Sequence, residues 1–566
     1  MRKMSRIFAY VCVILLLTST VLGLAACTND GNTDNLVVYN WADYMYDDYE
    51  EDFKEYYRNV TGGREINITY VTFDTNETMI TKVTQSDSRI DVMCPSEYAI
   101  QKLLCDGWLV PLNYFVADTD NPTEYLDTTK LTGYTHNSGN VDQHIVDKIS
   151  NEFTDLDVVD GSKANMIDYM VPYMYGTLGV LYNKAEFRRL GIGREEMNKA
   201  NWGILFNDSG EKNNDGTIKP LHEELTGNIL MKDSIRDSYA ATLFYLVESG
   251  RLDGLTTSDG KAYTEMNGEE LINCVDDNTI EYCKQVLTEQ KSQLFGYEVD
   301  FGKDDLLKGN AMVDLAWSGD AMYAVEESWH DHVWGADDKC KKCYVEKAEV
   351  TEDGEVEDGD YILSYYVPHT YGNIWFDGWV VPKTYNPDHA EAIKLFINFL
   401  NNPYVAAENT YTIGYTSAVA PEVVATDADA RESLVRLYFV NAPEICELTE
   451  EDLAENDGEY GYDSWDEFAE EFFNYIDEID DSNWRYPFVS ALENEEVGRG
   501  LSTLGMMRDF GSKNADVVTM WNYARSAGVS ALPVMLWTLL AVAVVVGVVA
   551  LIAYIGKCRR KRVIVK

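Results

Sequence analysis

The chain has 566 residues, in which 96 aspartates and glutamates outnumber 46 lysines and arginines, for a formal net charge of −50. So acidic a surface is a poor partner for nucleic acid and for anionic lipid headgroups. No phosphate loop or nucleophile motif occurs, and the abundant acids pair by chance, so we predict neither an enzyme nor a bound cofactor. About 500 residues lie between the apolar segment near the N-terminus, within 1–26, and the one near the C-terminus, at 534–556, which is enough for two lobes.

The first 26 residues are typical of a bacterial lipoprotein signal peptide. Basic residues at positions 2, 3 and 6 precede an apolar run over 7–24, and Leu24-Ala25-Ala26-Cys27 follows. Small residues before a cysteine match a lipobox, so we expect Cys27 to become the lipidated mature N-terminus. An uncleaved signal-anchor helix is the alternative, and it also places the next segment outside the cytoplasm.

Short β-branched and aromatic runs then alternate with helical stretches, which is typical of an α/β domain with parallel strands. The first elements are predicted as strands over 36–39, 66–73 and 90–93 and helices over 47–57 and 77–86. In open α/β sheets, ligands bind beyond the carboxyl ends of the strands. The loops 40–44 and 96–98 are therefore expected at one common rim.

Two later segments, 201–227 and 329–360, are rich in charged residues and glycine and are predicted to be surface insertions. The second contains an H-x-H followed by a C-x-x-C, formed by His330, His332, Cys340 and Cys343, whose side chains suit zinc. The spacing matches no standard zinc finger, so a disulfide or free thiols are favoured and no metal site is predicted.

The predicted exterior part holds an odd number of cysteines, at positions 94, 105, 274, 283, 340, 343 and 446, so at least one is unpaired. Short-loop bridges between Cys274 and Cys283 or between Cys340 and Cys343 are possible in an oxidising compartment.

Two segments near the C-terminus differ sharply in character. Residues 447–481 are acidic, lack EF-hand spacing and have aromatic residues on one helical face, which predicts a solvated surface helix. Residues 534–556 form an apolar run long enough for a transmembrane helix, which needs about 20 residues. The basic tail 557–566 is expected in the cytoplasm by the positive-inside rule, so the segment 27–533 is expected on the extracytoplasmic face of the cell membrane.

Three tryptophans each precede an aspartate by two or three residues, in the pairs Trp41/Asp43, Trp317/Asp320 and Trp375/Asp377. An indole face attracts an ammonium group, and a carboxylate adds a charge-assisted hydrogen bond. Such pairs suit a flexible organic polyamine.

Several motifs in chain order carry a family resemblance. They are V-V-Y-N-W-A-D-Y, T-F-D-T-N-E-T-M and D-V-M-C-P-S-E-Y within 36–112, then Val171-Pro172-Tyr173, M-K-D-S-I-R-D at 231–237, A-W-S at 316–318, W-F-D at 375–377 and I-G-Y at 413–415. Together they resemble the spermidine/putrescine-binding proteins of bacterial ABC transporters.

The resemblance implies a type II periplasmic-binding-protein fold, with two α/β lobes, hinge strands and a ligand cleft between the lobes. We expect lobe 1 over 36–173 and 378–500 and lobe 2 over 174–377 and 501–530, followed by the membrane helix.

The resemblance also implies ligand-binding roles. Trp41 and Tyr44 match aromatic wall positions, Trp317 and Trp375 match tryptophans that pack on the polyamine chain, and Asp377 matches an aspartate that takes an ammonium group. The full implied set is Trp41, Asp43, Tyr44, Ser96, Tyr98, Asp237, Trp317, Trp375, Asp377 and Tyr415. Ser234 stands where a spermidine binder of the family has a second acid. Asp320 is predicted instead to cap a helix that begins beside it.

The resemblance implies an extracytoplasmic solute-binding component that captures putrescine or spermidine and passes it to ABC permease subunits. Because this chain adds a C-terminal membrane helix, a membrane-tethered polyamine or other cation receptor without its own transport role is the alternative. The short cytoplasmic tail has no room for a signalling domain, so a receptor would need a separate partner chain.

Overall fold

The computed structural model describes residues 33–85, 89–115, 136–214, 218–299, 301–348, 359–368, 370–420, 423 and 504–526. The predicted signal peptide with Cys27, the acidic segment 447–481, the predicted membrane helix 534–556 and the basic tail lie outside these residues. Within the described ranges, no helix is both long and apolar enough to cross a membrane.

The strands are β1 Thr33–Trp41, β2 Glu65–Phe73, β3 Val92–Met93, β4 Leu109–Val110, β5 Leu156–Asp157, β6 Lys163–Ala164, β7 Met170–Asn183, β8 Asp208–Lys212, β9 Ile218–Pro220, β10 Ile229–Lys232, β11 Leu294–Glu298, β12 Val313–Trp317, β13 Trp329–His330, β14 Asp360–Tyr361, β15 Leu363–Tyr366, β16 Ile374–Pro382 and β17 Thr416–Ser417. The α-helices are α1 Tyr49–Val60, α2 Asn76–Gln85, α3 Glu97–Cys105, α4 Gln143–Glu152, α5 Lys184–Leu190, α6 Arg194–Ala200, α7 Ile235–Glu248, α8 Gly268–Ile272, α9 Asp277–Gln290, α10 Gly302–Leu307, α11 Ser318–Glu327, α12 Ala390–Leu400, α13 Pro403–Ile413 and α14 Asn514–Ser526.

A mixed sheet runs through the molecule in the order β11-β10-β12-β7-β16-β3-β1-β2. Strands β1, β2 and β3 are parallel to one another, and so are β10, β11 and β12. Between these two parallel sets, β7 and β16 form an antiparallel pair. The α/β class predicted from the sequence is confirmed.

Two apolar cores flank this central pair. In the first core, Phe53 of α1 packs against Phe396 and Phe399 of α12, at ring-centroid distances of 5.1 and 5.4 Å. The second core contains Trp202, Phe244 and the inner face of α14. Strand β7 is buried along its whole length and contributes to both cores. The exact lobe boundaries given above stay a prediction.

The elements of the first βα units occur where they were predicted, with bounds shifted by a few residues. The segment that begins at Asn201 differs from the prediction of a surface insertion. Residues 201–206 form a buried 3₁₀ helix, and Trp202 is fully buried in the second core. The β8–β9 hairpin that follows, together with Glu223, Glu224 and Thr226, has the exposed residues typical of an insertion.

The cysteines in the described ranges are free thiols, at positions 94, 105, 274, 283, 340 and 343. The two short-loop disulfides considered above are therefore not formed in this structure. Cys274 instead lies 3.4 Å from the Thr279 hydroxyl and 3.7 Å from an Asp276 carboxylate oxygen.

A buried glutamate joins three distant parts of the chain. Glu97, in the first turn of α3, is fully buried, and its carboxylate accepts hydrogen bonds from the backbone N–H groups of Phe376 and Met507, both at 3.1 Å. Burial raises the pKa of Glu97 to about 8. This side chain attaches both β16 and the segment 504–510 to the first core.

Substituting Glu97 tests this attachment. Glu97→Ala leaves two buried backbone N–H groups without acceptors, so we expect the free energy of unfolding to fall by about 2–4 kcal/mol in denaturant titration. The matched variant Glu97→Gln keeps one carbonyl oxygen and should lose less. Equal stability of the alanine variant and the unmodified chain would contradict the role assigned to Glu97.

Candidate ligand-binding site

A cavity of about 610 Å³ lies between the two parallel strand sets, at the carboxyl ends of β1 and β3. This confirms that the loops 40–44 and 96–98 share one rim. All ten side chains predicted to bind ligand line this cavity: Trp41, Asp43, Tyr44, Ser96, Tyr98, Asp237, Trp317, Trp375, Asp377 and Tyr415. Their participation in binding stays a prediction.

Trp375 and Asp377 reach the cavity because they are two residues apart on β16. Side chains at i and i+2 of a strand point to the same face, and the intervening Phe376 is buried in the core. The pairing of β16 with β7 shifts register between Asp377 and Gly378, where Tyr173 is the extra residue on β7. Such bulges re-aim side chains beside binding sites.

Asp377 is 5% exposed, and its two carboxylate oxygens differ in their contacts. Oδ2 accepts a hydrogen bond from the Tyr44 hydroxyl at 2.9 Å, whereas Oδ1 has no hydrogen-bond partner in the described part of the chain. Burial raises the pKa of Asp377 to about 7, although Ser96 and Tyr44 oppose the shift. The carboxylate is thus ready to accept a hydrogen bond from a cation in the cavity.

Aromatic rings enclose this carboxylate. The Tyr44 ring lies 5.5 Å from the rings of both Tyr173 and Tyr415, and Tyr415 lies 5.3 Å from Trp375, all in edge-to-face geometry. Gly319, at the start of α11, makes room for Tyr415, because a Cβ atom there would lie 2.3 Å from its ring. The result is a continuous aromatic surface beside Asp377.

The opposite part of the first wall is held by an asparagine that the sequence reading missed. Asn76 begins α2, and its amide Nδ2 lies 3.1 Å from both the Ser96 and the Tyr98 hydroxyl oxygens. Its Oδ1 accepts a hydrogen bond from the Ser96 backbone N–H. Asn76 therefore fixes the positions of Ser96 and Tyr98. Only its place in the T-F-D-T-N motif pointed to it.

The second wall begins at the N-terminus of α7. Ser234 caps this helix by accepting a hydrogen bond from the Asp237 backbone N–H at 3.5 Å, so it has a structural task of its own. Asp237 is 7% exposed, and burial raises its pKa, with Ser234, Lys232 and Trp317 acting in the opposite direction. Asp237 is thus a second acid of the cavity, on the side opposite Asp377.

Trp317 carries a cation from the protein itself on one face. The buried Lys232 ammonium lies 4.3 Å from the Trp317 ring centroid and 2.7 Å from a Glu298 carboxylate oxygen. Burial alone would lower the pKa of Lys232, but the carboxylates of Glu298, Asp314 and Asp320 raise it. Lys232 therefore stays charged beneath the ring.

Asp320 is the member of the three pairs whose role changes. Helix α11 does begin beside it, but the cap residue is Trp317, and Asp320 lies in the first turn. Its carboxylate forms ion pairs with Lys303 at 2.9 Å and Lys232 at 3.7 Å. Asp320 lines the cavity as an already neutralised acid, and the predicted capping role is wrong.

Arg236 is the second residue that the sequence reading missed. It is 5% exposed, and its guanidinium carbon lies 3.5 Å from the Phe510 ring centroid and 5.1 Å from that of Tyr98. None of its guanidinium nitrogens has a hydrogen-bond partner within the described ranges. Burial lowers its pKa. The arginine closes one end of the cavity with a cation held between two rings.

The charges around the cavity are distributed unequally. The lining contains nine acidic and three basic side chains. The basic ones, Arg236, Lys303 and Arg525, all lie on the second wall, while Asp43, Asp74, Glu77, Glu97 and Asp377 lie on the first. Burial raises the pKa of Glu97 and of Glu77. The first wall nevertheless presents Asp43, Asp74 and Asp377 with no basic side chain among its described lining residues, and this favours a cationic occupant.

A family model described as hypothetical lipoprotein (MG045 family) matches residues 2–209. The putrescine/cadaverine-binding protein of Pseudomonas aeruginosa PAO1 is 24% identical over 236 residues, which are 42% of this chain and only 51% of that protein. The putrescine-binding periplasmic protein SpuD of P. aeruginosa UCBPP-PA14 is 22% identical over 419 residues, which are 74% of this chain and 86% of that protein.

Among solved structures, a putative spermidine/putrescine ABC transporter protein from Listeria monocytogenes aligns over 87% of this chain and 99% of its own, with 20% identity and a TM-score of 0.49. The sequence relatives carry names that describe binding proteins, in agreement with the prediction that the chain is not an enzyme. The chain is thus similar in sequence to bacterial proteins named as putrescine-binding, as its motifs predicted.

Proposed function

We propose that this chain is a two-lobed, type II extracytoplasmic solute-binding component of an ABC transporter and that it binds putrescine or spermidine in the cavity between its two cores. The observation that carries the proposal is Asp377, a buried carboxylate whose Oδ1 has no hydrogen-bond partner among the described residues and which lies beside Tyr44, Trp375 and Tyr415. A primary ammonium group donates to the free oxygen, and its methylene chain packs along the rings.

Asp237 supplies the second charge that a diamine needs, on the opposite wall. Each charge-assisted hydrogen bond contributes about 1.5–3 kcal/mol, and each cation over a ring contributes roughly 0.5–2 kcal/mol. Two such ends sum to roughly 4–10 kcal/mol before ordering costs, and packing of the methylene chain on the rings adds to this. Micromolar affinity, which corresponds to about −8 kcal/mol, therefore needs both ends and the rings together. Because Ser234 replaces a second acid, the diamine is favoured over the triamine.

A second candidate ligand is a basic amino acid or another ammonium compound that also carries a carboxylate. Arg236 favours a ligand that carries a carboxylate, because this group would accept hydrogen bonds from guanidinium N–H groups that have no partner in the described residues. In this case one ligand end would lie at Asp377 and the other at Arg236. Tighter binding of lysine than of putrescine would select this candidate.

Calorimetric titration of the purified chain with putrescine, spermidine and lysine tests the proposal. We expect putrescine to bind with roughly micromolar affinity. Asp377→Asn removes the charged partner of an ammonium group and should weaken putrescine binding by roughly 10- to 100-fold. Trp375→Ala should weaken it by roughly 2- to 30-fold, through loss of the ring face.

Two variants outside the cavity serve as matched controls. Asp388→Asn removes an exposed acid, and Trp329→Ala removes a partly exposed tryptophan, and both should leave the affinity unchanged. Absence of polyamine binding by the unmodified chain would overturn the proposal.

The pKa of Asp377 predicts a pH dependence of binding. With a pKa of about 7, this carboxyl is increasingly protonated as the pH falls below 7, while a primary amine stays charged. Binding requires the ionised carboxylate, so the Kd for putrescine should increase as pH falls from 8 to 5.5, approaching tenfold per pH unit at the acid end. Titrations in buffers across this range measure the slope.

The Asp377→Asn variant has no carboxyl to titrate at this position, so its weaker binding should change much less over the same range. A parallel pH dependence in this variant and in the unmodified chain would assign the effect to another group.

A further inference from the structure

The segment 329–361 brings two histidines and two cysteines into one cluster outside the cavity. The ligand atoms of His330, His332, Cys340 and Cys343 all lie within 4.8 Å of one another. His330 Nε2 is 3.5 Å from Cys340 Sγ, and His332 Nδ1 is 3.5 Å from Cys343 Sγ. The sequence favoured a disulfide or free thiols here, and the geometry points elsewhere.

We propose that these four side chains bind a structural zinc ion. Zinc–sulfur bonds of about 2.3 Å and zinc–nitrogen bonds of about 2.0–2.1 Å at tetrahedral angles separate sulfur from nitrogen by about 3.5 Å. The His330–Cys340 and His332–Cys343 distances equal this edge, and the remaining distances between ligand atoms of the cluster are within 4.8 Å. A set of two thiolates and two imidazoles fills all four positions, so the site is closed and leaves no place for a substrate.

The backbone conformation around the two cysteines also fits a bound zinc ion. The Lys342 N–H points to Cys340 Sγ at 3.4 Å, and such donors stabilise a thiolate ligand. Tyr344 adopts a left-handed conformation, with φ of 60°, directly after Cys343. The Cys340 N–H donates to the Val345 carbonyl at 2.8 Å, which closes the turn around the two sulfurs.

The cluster is well shielded from water and is attached to the second core. Cys340 and Cys343 are 1% and 0% exposed, and His330 is 5% exposed. His330 pairs with Asp360 across the β13–β14 ladder, and Asp360 forms ion pairs with Lys184 and Arg188 of α5. An ion here would join residues 330–332 to residues 340–343, beside the β13–β14 ladder that Asp360 attaches to α5, and a structural zinc of this kind contributes directly to folding.

Metal analysis of the full chain, purified without chelators, tests the proposal. We expect about one zinc ion per chain and its loss in the double variant Cys340→Ser/Cys343→Ser. Cys105→Ser removes a partly buried thiol outside the cluster and should retain the metal. A 340–343 disulfide without bound metal, or unchanged zinc content in the double variant, would overturn the proposal.

Two further measurements keep the test decisive if the double variant does not fold. The unmodified chain is stripped with a chelator and reloaded with Co²⁺, whose thiolate charge-transfer bands should appear and be lost on adding Zn²⁺. Absence of these bands after reloading would contradict the site. Putrescine titration of the zinc-depleted chain separates the two proposals. Because the cluster does not line the cavity, loss of zinc should leave putrescine binding in place, so either proposal can fail without the other.

Discussion

The antiparallel pairing of β7 with β16 is the constraint on which the site depends. These two strands connect the cores, and one ladder therefore positions both walls of the cavity. Strand β16 holds Trp375 and Asp377, while β7 holds Tyr173 at the bulge and pairs further along with β12, which ends at Trp317. The distance of Trp375 and Asp377 from Trp317 is thus set by backbone hydrogen bonds rather than by loops. The one-residue bulge at Tyr173 changes the direction of the Asp377 side chain, while the pairing of the two strands continues on both sides of it.

Much of this arrangement follows from local patterns in the sequence. Alternating runs predicted the first strands and helices, and the rule that parallel strands end at one edge predicted the shared rim of residues 40–44 and 96–98. Arg236 and Lys232 were beyond such reasoning, since a buried cation is stable only among partners that tertiary structure brings close. Trp202 was misassigned because the charged and glycine-rich residues after Asn207 dominate the composition of the segment, although Ile204, Leu205 and Phe206 beside it are apolar. The His and Cys pairs show the same limit, because their approach depends on how a ten-residue separation folds.

The cavity combines features that act in opposite directions on a cation. Its first wall is acidic and lacks basic partners among the lining residues, whereas the second wall already contains Arg236, Lys303 and Arg525. On the proposed function, an ammonium group lies at the Asp377 end, and the second wall then limits the chemistry of the other end of the ligand. A short diamine ends in a second cation, which cannot accept a hydrogen bond from Arg236, whereas a molecule that ends in a carboxylate can. On the proposed function, the second wall is therefore the part of the cavity that distinguishes these two ligands, whereas the first wall serves the ammonium group that both share.

The lysine beneath Trp317 has a consequence for the entropy of binding. Lys232 is buried, charged and stacked on one indole face before any ligand is present. The rotamer of Trp317 is consequently restricted during folding, so a ligand that packs on the opposite face does not have to immobilise the ring. Immobilising a large side chain costs about 0.5–1.5 kcal/mol on association, and this cost is absent where the ring is preorganised. The Lys232 ammonium thus permanently occupies one face of the Trp317 indole, and the ring that lines the cavity is held in a fixed orientation.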